Sequence, residues 1–594
     1  MIKKIKVSIA KLLKILNIKQ KVWGIVVLMV SLISALLETL GVSIIVPLVN
    51  ALLQPEKLLE NALIKKLISP IGIETERELI IFVVFSVIAI YIFKNLFFIF
   101  ACWLKVKYAY MIQREVSVFM MHAYMNRGYE FFLSKNVNEL IQGVSSDVVS
   151  LYQIVTNLLQ IITQLMIVGF ICIYMCYADW QISVGIIASA ILCLCLIFIF
   201  FRKKLSRAGN LYRKYGIKAS QVLLQTFHGI KEVIIMRKQN YFLREYEDNT
   251  IKKQHAQITQ AVGAEIPAYI IEGVCISGIM SILCIKILNI PNPESFVALL
   301  ASFAVGAFRV LPALGKISSS LNTIVASLPG LNVVYENIVD ARKNNLVFFD
   351  INSIDDDAGM NNRSNGTIKI EDVSFSYNNG QNNVLENINL KIEKGKSVAF
   401  IGESGAGKST LADLILGLLS ANSGDIRLDE VSIRKIPNTW SKIIGYVPQS
   451  IYLSDTSICE NIAFGIESAE IDEEKVKAAL RKAELLDFVM ELPEGIYTKV
   501  GDRGVRLSGG QKQRIGIARA LYHDPQILIL DEATSALDNE TEKAVMEAID
   551  SLHGKMTLII IAHRLSTIKN CDVIYEIKDK HVFRRKYEDL IEHE

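Results

Sequence analysis

Six runs of predominantly apolar residues, each close to the length needed to cross a bilayer, constrain this chain more than any other feature. VWGIVVLMVSLISALL and LIIFVVFSVIAIYIF are typical, and about 20 such residues make a membrane-span candidate. The candidates fall at about 22–53, 78–104, 147–176, 181–201, 256–285 and 293–316. The apolar excess behind the mean hydropathy of +0.35 therefore sits before about Ala341. After Asn365 the pattern becomes that of an α/β domain. The expected organisation is a transmembrane domain over 1–340, an Asn/Asp/Gly-rich linker over 341–366 and a nucleotide-binding domain over 367–594.

Lys and Arg placement sets the expected orientation. Lys3, Lys4, Lys6, Lys11, Lys14, Lys19 and Lys21 precede span one, and Arg202, Lys203, Lys204, Arg207, Arg213 and Lys214 follow span four. The turn at Ala178-Asp179-Trp180 has no basic residue, and the loop before span six has only Lys286. Both chain ends are expected in the cytoplasm. The first outer loop departs from the pattern with Lys57, Lys65, Lys66 and Arg77; its QPEKLLENALIKKLI reads as a short interfacial helix. The basic first 21 residues lack a signal-type cleavage site and read as a cytoplasmic lead-in. Topology accounts for the net charge of +4, so no nucleic-acid partner is needed. Nine cysteines show neither metal-ligand nor paired secretory spacing.

Chemistry enters with SVAFIGESGAGKSTLADLILGLL. A short apolar strand runs into Gly402-x4-Gly407-Lys408-Ser409, followed by a helix, the context in which a phosphate-binding loop is expected. Its glycines, Gly405 included, let backbone N–H groups wrap an anion at the positive end of a helix. Lys408 is placed for the β- and γ-phosphates of ATP, and Ser409 for Mg²⁺, with Thr410 beside it. Further on, QILILDEATSALD puts a buried strand, Ile527 to Leu530, ahead of two carboxylates. Asp531 suits Mg²⁺ through water, and Glu532 suits the general base that polarises the attacking water.

LSGGQ at Leu507–Gln511, Gln449 in YVPQS, Ser535-Ala536-Leu537-Asp538 and His563 in IAHRLS occur in the order that resembles the ATP-binding cassette (ABC) family. Tyr377 in FSYNNG sits where that family stacks an aromatic ring on adenine. The resemblance implies ATP and Mg²⁺ as cofactors. It gives catalytic roles to Glu532, His563 and Gln449, with Gln449 also near the metal. It makes Ser508, Gly509, Gly510, Gln511 and Asp538 part of the ATP site. Ser508, Gly509 and Gly510 open the helical GGQKQRIGIARALYHD, a second anion site, which in the family caps the γ-phosphate held by the opposite cassette. One cassette and six spans resemble an exporter-type half-transporter, so the implied assembly is a homodimer with two ATP sandwiched. The fold class expected is a six-helix all-α transmembrane domain plus an α/β P-loop ABC nucleotide-binding domain. Arg127–Val148 and Thr226–Phe242 resemble the loops that couple exporters to their cassettes. KVGDRGVRLSGGQ resembles the exporter-type element ahead of the signature, with Asp502 where glutamate is more usual.

Cargo is the harder question. Glu38, Lys94, Glu272 and Arg309 lie inside spans one, two, five and six at comparable depth. An ionisable side chain there costs about 2.5–3.5 kcal/mol on insertion scales, so it faces a cavity or a partner. Two readings stand open: Glu38 or Glu272 neutralises Lys94 or Arg309, or the two cations line a cavity for an anionic cargo. LLETLGVSIIVPL and FRVLPALGKISSSLNTI resemble bacterial lipid-linked oligosaccharide flippases, which implies a lipid-linked glycan moved across the inner membrane. Multidrug or lipid export, peptide export and a non-transport ATPase are the alternatives.

Overall fold

The computed structural model describes residues 2–44, 48, 75–178, 180–287, 294–344, 366–377, 383–501, 504–532, 539–562 and 564–591. Side chains along much of 181–198 and 282–308 lie outside that description. So do the outer-loop helix expected over 54–68, most of the linker, the turn residue Asp179, Asp502, Asp538 and His563. Two compact units result, one of Met1–Arg127 and Ser134–Phe348, the other of Gly128–Leu133 and Phe349–Glu594.

The first unit is helical. A lead-in helix α1 (Ile2–Ile15) precedes α2 (Ile18–Ser43), which starts where Asn17 and Gln20 exchange side-chain-to-backbone hydrogen bonds. The long α3 (Glu76–Met125) is capped by Thr75 and Glu78, the T-x-x-E pattern that satisfies the orphan N–H groups of a helix start. Then come α4 (Tyr129–Ser134, all but Ser134 assigned to the other unit), α5 (Val137–Val144), α6 (Ser146–Ala178), α7 (Trp180–His228), α8 (Ile230–Ile235), α9 (Gln239–Ile287) and α10 (Glu294–Lys343). At 1.5 Å per residue the 50 residues of α3 reach about 75 Å, far beyond a hydrocarbon core of about 30 Å. Spans two, four, five and six therefore continue as helix past their apolar segments. Among the described residues five helices are long and apolar enough to cross a membrane. The fourth expected span lies on α7, where most side chains are outside the description.

Small residues set how closely α7, α9 and α10 approach. A Cβ on Gly209 would lie 2.2 Å from the Ala326 carbonyl oxygen, and one on Gly315 would lie 3.1 Å from the Ala268 Cβ. Without a hydrophobic drive between helices in lipid, such contacts carry the packing. Pro267 inside α9 has no N–H to give the Gly263 carbonyl one turn earlier. Buried Asn322 of α10 supplies the missing donor, its Nδ2 lying 2.7 Å from that oxygen.

The second unit has two sheets. β1 (Ile368–Phe375), β2 (Leu385–Ile392), β4 (Ser423–Leu428) and β5 (Val431–Ser432) form an antiparallel sheet in the order β2-β1-β4-β5. β3 (Ser397–Ile401), β6 (Ile444–Val447), β7 (Ile527–Asp531), β8 (Thr557–Ile561), β9 (Val573–Lys578) and β10 (His581–Arg585) form the other, ordered β10-β9-β3-β8-β7-β6. Its strands from β9 to β6 are parallel, and only β10 runs the other way. Continuous apolar runs such as LILI and TLIII suit parallel strands covered on both faces, and every residue of β8 is buried.

Candidate functional site

β3 and β7 flank β8, so the loop leaving β3 and the carboxylates ending β7 emerge at the same edge of the parallel sheet. Open α/β sheets bind ligands outside the carboxyl ends of their strands. Gly402, Gly405 and Gly407 have φ of 144°, 85° and 104°. Gly402 is further constrained, because a Cβ there would lie 2.3 Å from the Ile577 carbonyl oxygen. These glycines curl the backbone into the first turn of α11 (Lys408–Leu416), whose leading N–H groups have no partner within the helix. Lys408 is buried; its ammonium donates to the Gly402 and Glu403 carbonyls at 2.8 and 2.9 Å. Burial holds its pKa below the ordinary lysine value, while the Glu532 and Asp531 carboxylates oppose that drop. Ser409 and Thr410 follow on the same turn, and the Tyr377 hydroxyl meets the Thr410 Oγ1 at 3.0 Å. The Tyr377 ring, part exposed, packs edge-on to Phe375 at 4.9 Å between centroids.

Glu532 has φ of +48°, an uncommon backbone state for a residue with a side chain, and its N–H is held by the Ile561 carbonyl at 3.0 Å. The Gln449 Nε2 donates to Glu532 Oε2 at 2.5 Å, so the two residues expected around the attacking water are brought together. Asp531 Oδ2 lies 3.5 Å from the Tyr446 hydroxyl. Burial, then the Asp531 and Asp413 carboxylates, push the Tyr446 pKa up, which keeps it a neutral donor. Asp413 was not singled out in the sequence. Its burial and the charge of Asp531 raise its pKa to about 6. The residue count offered a signal, since Asp413 follows Ser409 by four positions and shares its helix face.

Among the described residues no three His, Cys, Asp or Glu side chains cluster for a metal. Mg²⁺ does not need such a cage, because it is held by one or two carboxylates, waters and substrate phosphates. Ser409, Gln449 and Asp531 fit that donor set. The signature forms a different element: Ser508 caps α12 (Gly509–Leu521), accepting from Gln511 N at 3.3 Å while Gln511 Oε1 accepts from Ser508 N at 2.8 Å. Gly510 is buried beneath it.

The helical unit holds a second site. A cavity of about 380 Å³ is lined by Glu38, Lys94, Lys105, Arg309 and Lys316 among polar and aromatic residues. Glu38 bridges two cations, with Oε2 3.2 Å from the Lys94 ammonium and Oε1 2.9 Å from the Arg309 guanidinium. Three of the four ionisable residues picked from the sequence thus meet. Glu272 does not join them: it is exposed on α9 and lines a neighbouring cavity with Glu265 and Tyr269, forming no ion pair among the described residues. Depth along the span was the same, but the helix face differs. Lys105 and Lys316 were missed as cavity residues. Eleven residues separate Lys94 from Lys105 and seven separate Arg309 from Lys316, spacings that return to the same helix face. Lys105 donates to Gln160 Oε1 at 2.5 Å.

Residues 385–535 match the family described as ABC transporter, and residues 22–305 match the ABC transporter transmembrane region. The chain is 32% identical to the heterocyst differentiation ATP-binding protein of Nostoc sp. over 78% of its own length and 74% of that protein's. It is 31% identical to the ATP-dependent lipid A-core flippase of Francisella tularensis over 77% and 72%. A putative multidrug export ATP-binding/permease protein of Staphylococcus aureus is 49% identical over 36% and 37%.

Proposed function

The chain belongs to the ABC transporter family as an exporter-type transporter, an ATPase coupled to transport, and on that premise we propose that it flips an anionic amphiphile, most specifically a lipid-linked oligosaccharide, from the cytoplasmic to the outer leaflet. One observation carries the cargo class: the cavity in the helical unit is lined by four cations and a single carboxylate. Such an excess is expensive in a low-dielectric wall and is offset by a cargo that brings phosphate. Arginine in particular forks onto phosphate oxygens.

In this reading two copies of the chain assemble, so that Ser508, Gly509, Gly510 and Gln511 of each cassette cap the ATP bound by the other's Gly402–Thr410 loop. Tyr377 stacks on the adenine, with Asp538 completing the site. Lys408 holds the β- and γ-phosphates; Ser409, Gln449 and, through water, Asp531 would hold Mg²⁺, which would supply charge neutralisation of the phosphates. Glu532, oriented by Gln449, takes the proton of the attacking water, and His563 assists. The chain sits in a bacterial inner membrane with both ends cytoplasmic. ATP binding favours one global state and hydrolysis releases it, as any ligand-driven switch requires.

The test is ATP-dependent flipping of a fluorescent lipid-linked oligosaccharide in proteoliposomes, with Glu532→Gln and Arg309→Ala alongside. Loss of flipping in both variants is expected. An Arg309→Ala protein that assembles normally and flips at the parent rate would remove the anion role. No flipping by the parent chain with intact ATP hydrolysis would move the cargo to a peptide or an uncharged amphiphile.

A further inference from the structure

The ion triad in the cavity is asymmetric. Lys94 is enclosed: its side chain is 2% exposed, its ammonium lies 4.3 Å from the Tyr91 ring centroid and 5.7 Å from that of Phe98. A Cβ on Gly41 would sit 3.2 Å from the same nitrogen, so glycine leaves it just enough room. Tyr91 is itself fixed, donating to the Gly41 carbonyl at 3.0 Å. Arg309 is the opposite case. Its side chain is 40% exposed and lines the cavity, with Nη1 2.9 Å from Glu38. Glu38, only 7% exposed, divides its two oxygens between the two cations.

We propose that Glu38 is a resident counter-ion, an internal stand-in for a cargo phosphate, and that loading transfers Arg309 from Glu38 to the cargo while Lys94 stays behind to neutralise the carboxylate. This rests on the anionic-cargo reading of the same cavity and adds how the empty and loaded states are kept neutral. A guanidinium facing a low-dielectric cavity is costly when alone. With Glu38 beside it, Arg309 has an anion in both states. Glu38 is equally safe, because Lys94 cannot leave its cage. The carboxylate therefore competes with cargo for one cation, which weakens binding and speeds release.

The competition is measurable on the purified full-length protein with radiolabelled farnesyl diphosphate as probe and farnesol as the uncharged control. The informative variant is Glu38→Gln/Lys94→Gln. It removes one charge of each sign, so the net charge of the cavity is unchanged, and of the triad it leaves only the 40% exposed Arg309, without its carboxylate. Binding of the diphosphate at least about tenfold tighter than by the parent, with slower release and unchanged farnesol binding, is expected. Adding Arg309→Gln should abolish that gain. Glu38→Gln alone should tighten binding too, provided its melting profile matches the parent's. Parent and Glu38→Gln/Lys94→Gln proteins that bind the diphosphate equally would overturn the counter-ion role and leave the anionic-cargo reading standing. Failure of every form to bind diphosphate above farnesol would overturn both.

Discussion

Asn322 compensates for Pro267, and the compensation can be taken apart. Proline at 267 leaves the Gly263 carbonyl of α9 without its helical donor, and Asn322 Nδ2 fills the gap at 2.7 Å from a position 1% exposed. Asn322→Leu keeps the volume but strands that carbonyl in the helix interface. A buried polar group left unmade costs about 1–3 kcal/mol, more than the net worth of a hydrogen bond formed against water. Pro267→Ala restores an N–H at residue 267, so the Gly263 carbonyl regains its own helix partner. In that background Asn322→Leu should cost well under half as much as in the parent. The four proteins form a double-mutant cycle with an expected coupling of about 1–2 kcal/mol, read from thermal melting in detergent. Strict additivity would refute the reasoning, since it would mean that Asn322 stabilises α10 without serving the carbonyl that proline exposes. The same helix α10 carries Arg309 and Lys316, which line the cavity.

Other perturbations address the cassette. Glu532→Gln should lower ATP turnover by about 10²-fold or more while leaving ATP binding intact, since general-base catalysis is worth roughly 10²–10⁴; phosphate release and nucleotide binding measured together check it. Gly402→Ala should abolish ATP binding and lower the cassette's melting temperature, because its Cβ would lie 2.3 Å from the Ile577 oxygen at a φ of 144°. Asp413, with a pKa raised from 3.8 to about 6, favours folding in its neutral form. That stability is fully present below pH 3.8 and lost as pH rises through 6, so Asp413→Asn should flatten the pH dependence in this window. At 1.36 kcal/mol per unit the two-unit shift gives about 3 kcal/mol, and solvent screening of a half-exposed group reduces it to about 1–1.5 at pH 7. Melting curves from pH 4 to 8 decide it.

The cassette was legible because its chemistry is local. A phosphate loop needs particular residues at consecutive positions, and strands buried on both faces advertise themselves as unbroken apolar runs. Helical spans were legible for a similar reason. Once a span leaves the bilayer nothing forces the helix to stop, and α3 runs past the expected span end near 104 to Met125. The cavity was only half legible. Depth can be read by counting from a span's end, and it picked out Glu38, Lys94 and Arg309. Depth says nothing of rotation about the helix axis, which is why Glu272 fell on another face while Lys105 and Lys316 escaped notice. Asn322 and Pro267 lie on different helices, and no pattern within either one announces that they meet.

On the anionic-cargo reading, helix origin also accounts for how this cavity would release what it binds. A cationic pocket that held its cargo equally well in every state would trap it, since a ligand shifts an equilibrium only through a difference in affinity between states. Charges on one rigid helix keep their spacing whatever the domain does. Here Glu38 lies on α2, Lys94 on α3 and Arg309 on α10. A displacement of α10 against the α2–α3 pair changes the distance from Arg309 to Glu38 while leaving Glu38 and Lys94 together. At an effective dielectric of about 20, two unit charges attract by about 4 kcal/mol at 4 Å and half of that at 8 Å. On that reading, a movement of a few ångströms is enough to change which anion Arg309 prefers, the carboxylate or the cargo. On the same reading, ATP would not need to act on the cargo directly; moving one helix relative to two others would be enough.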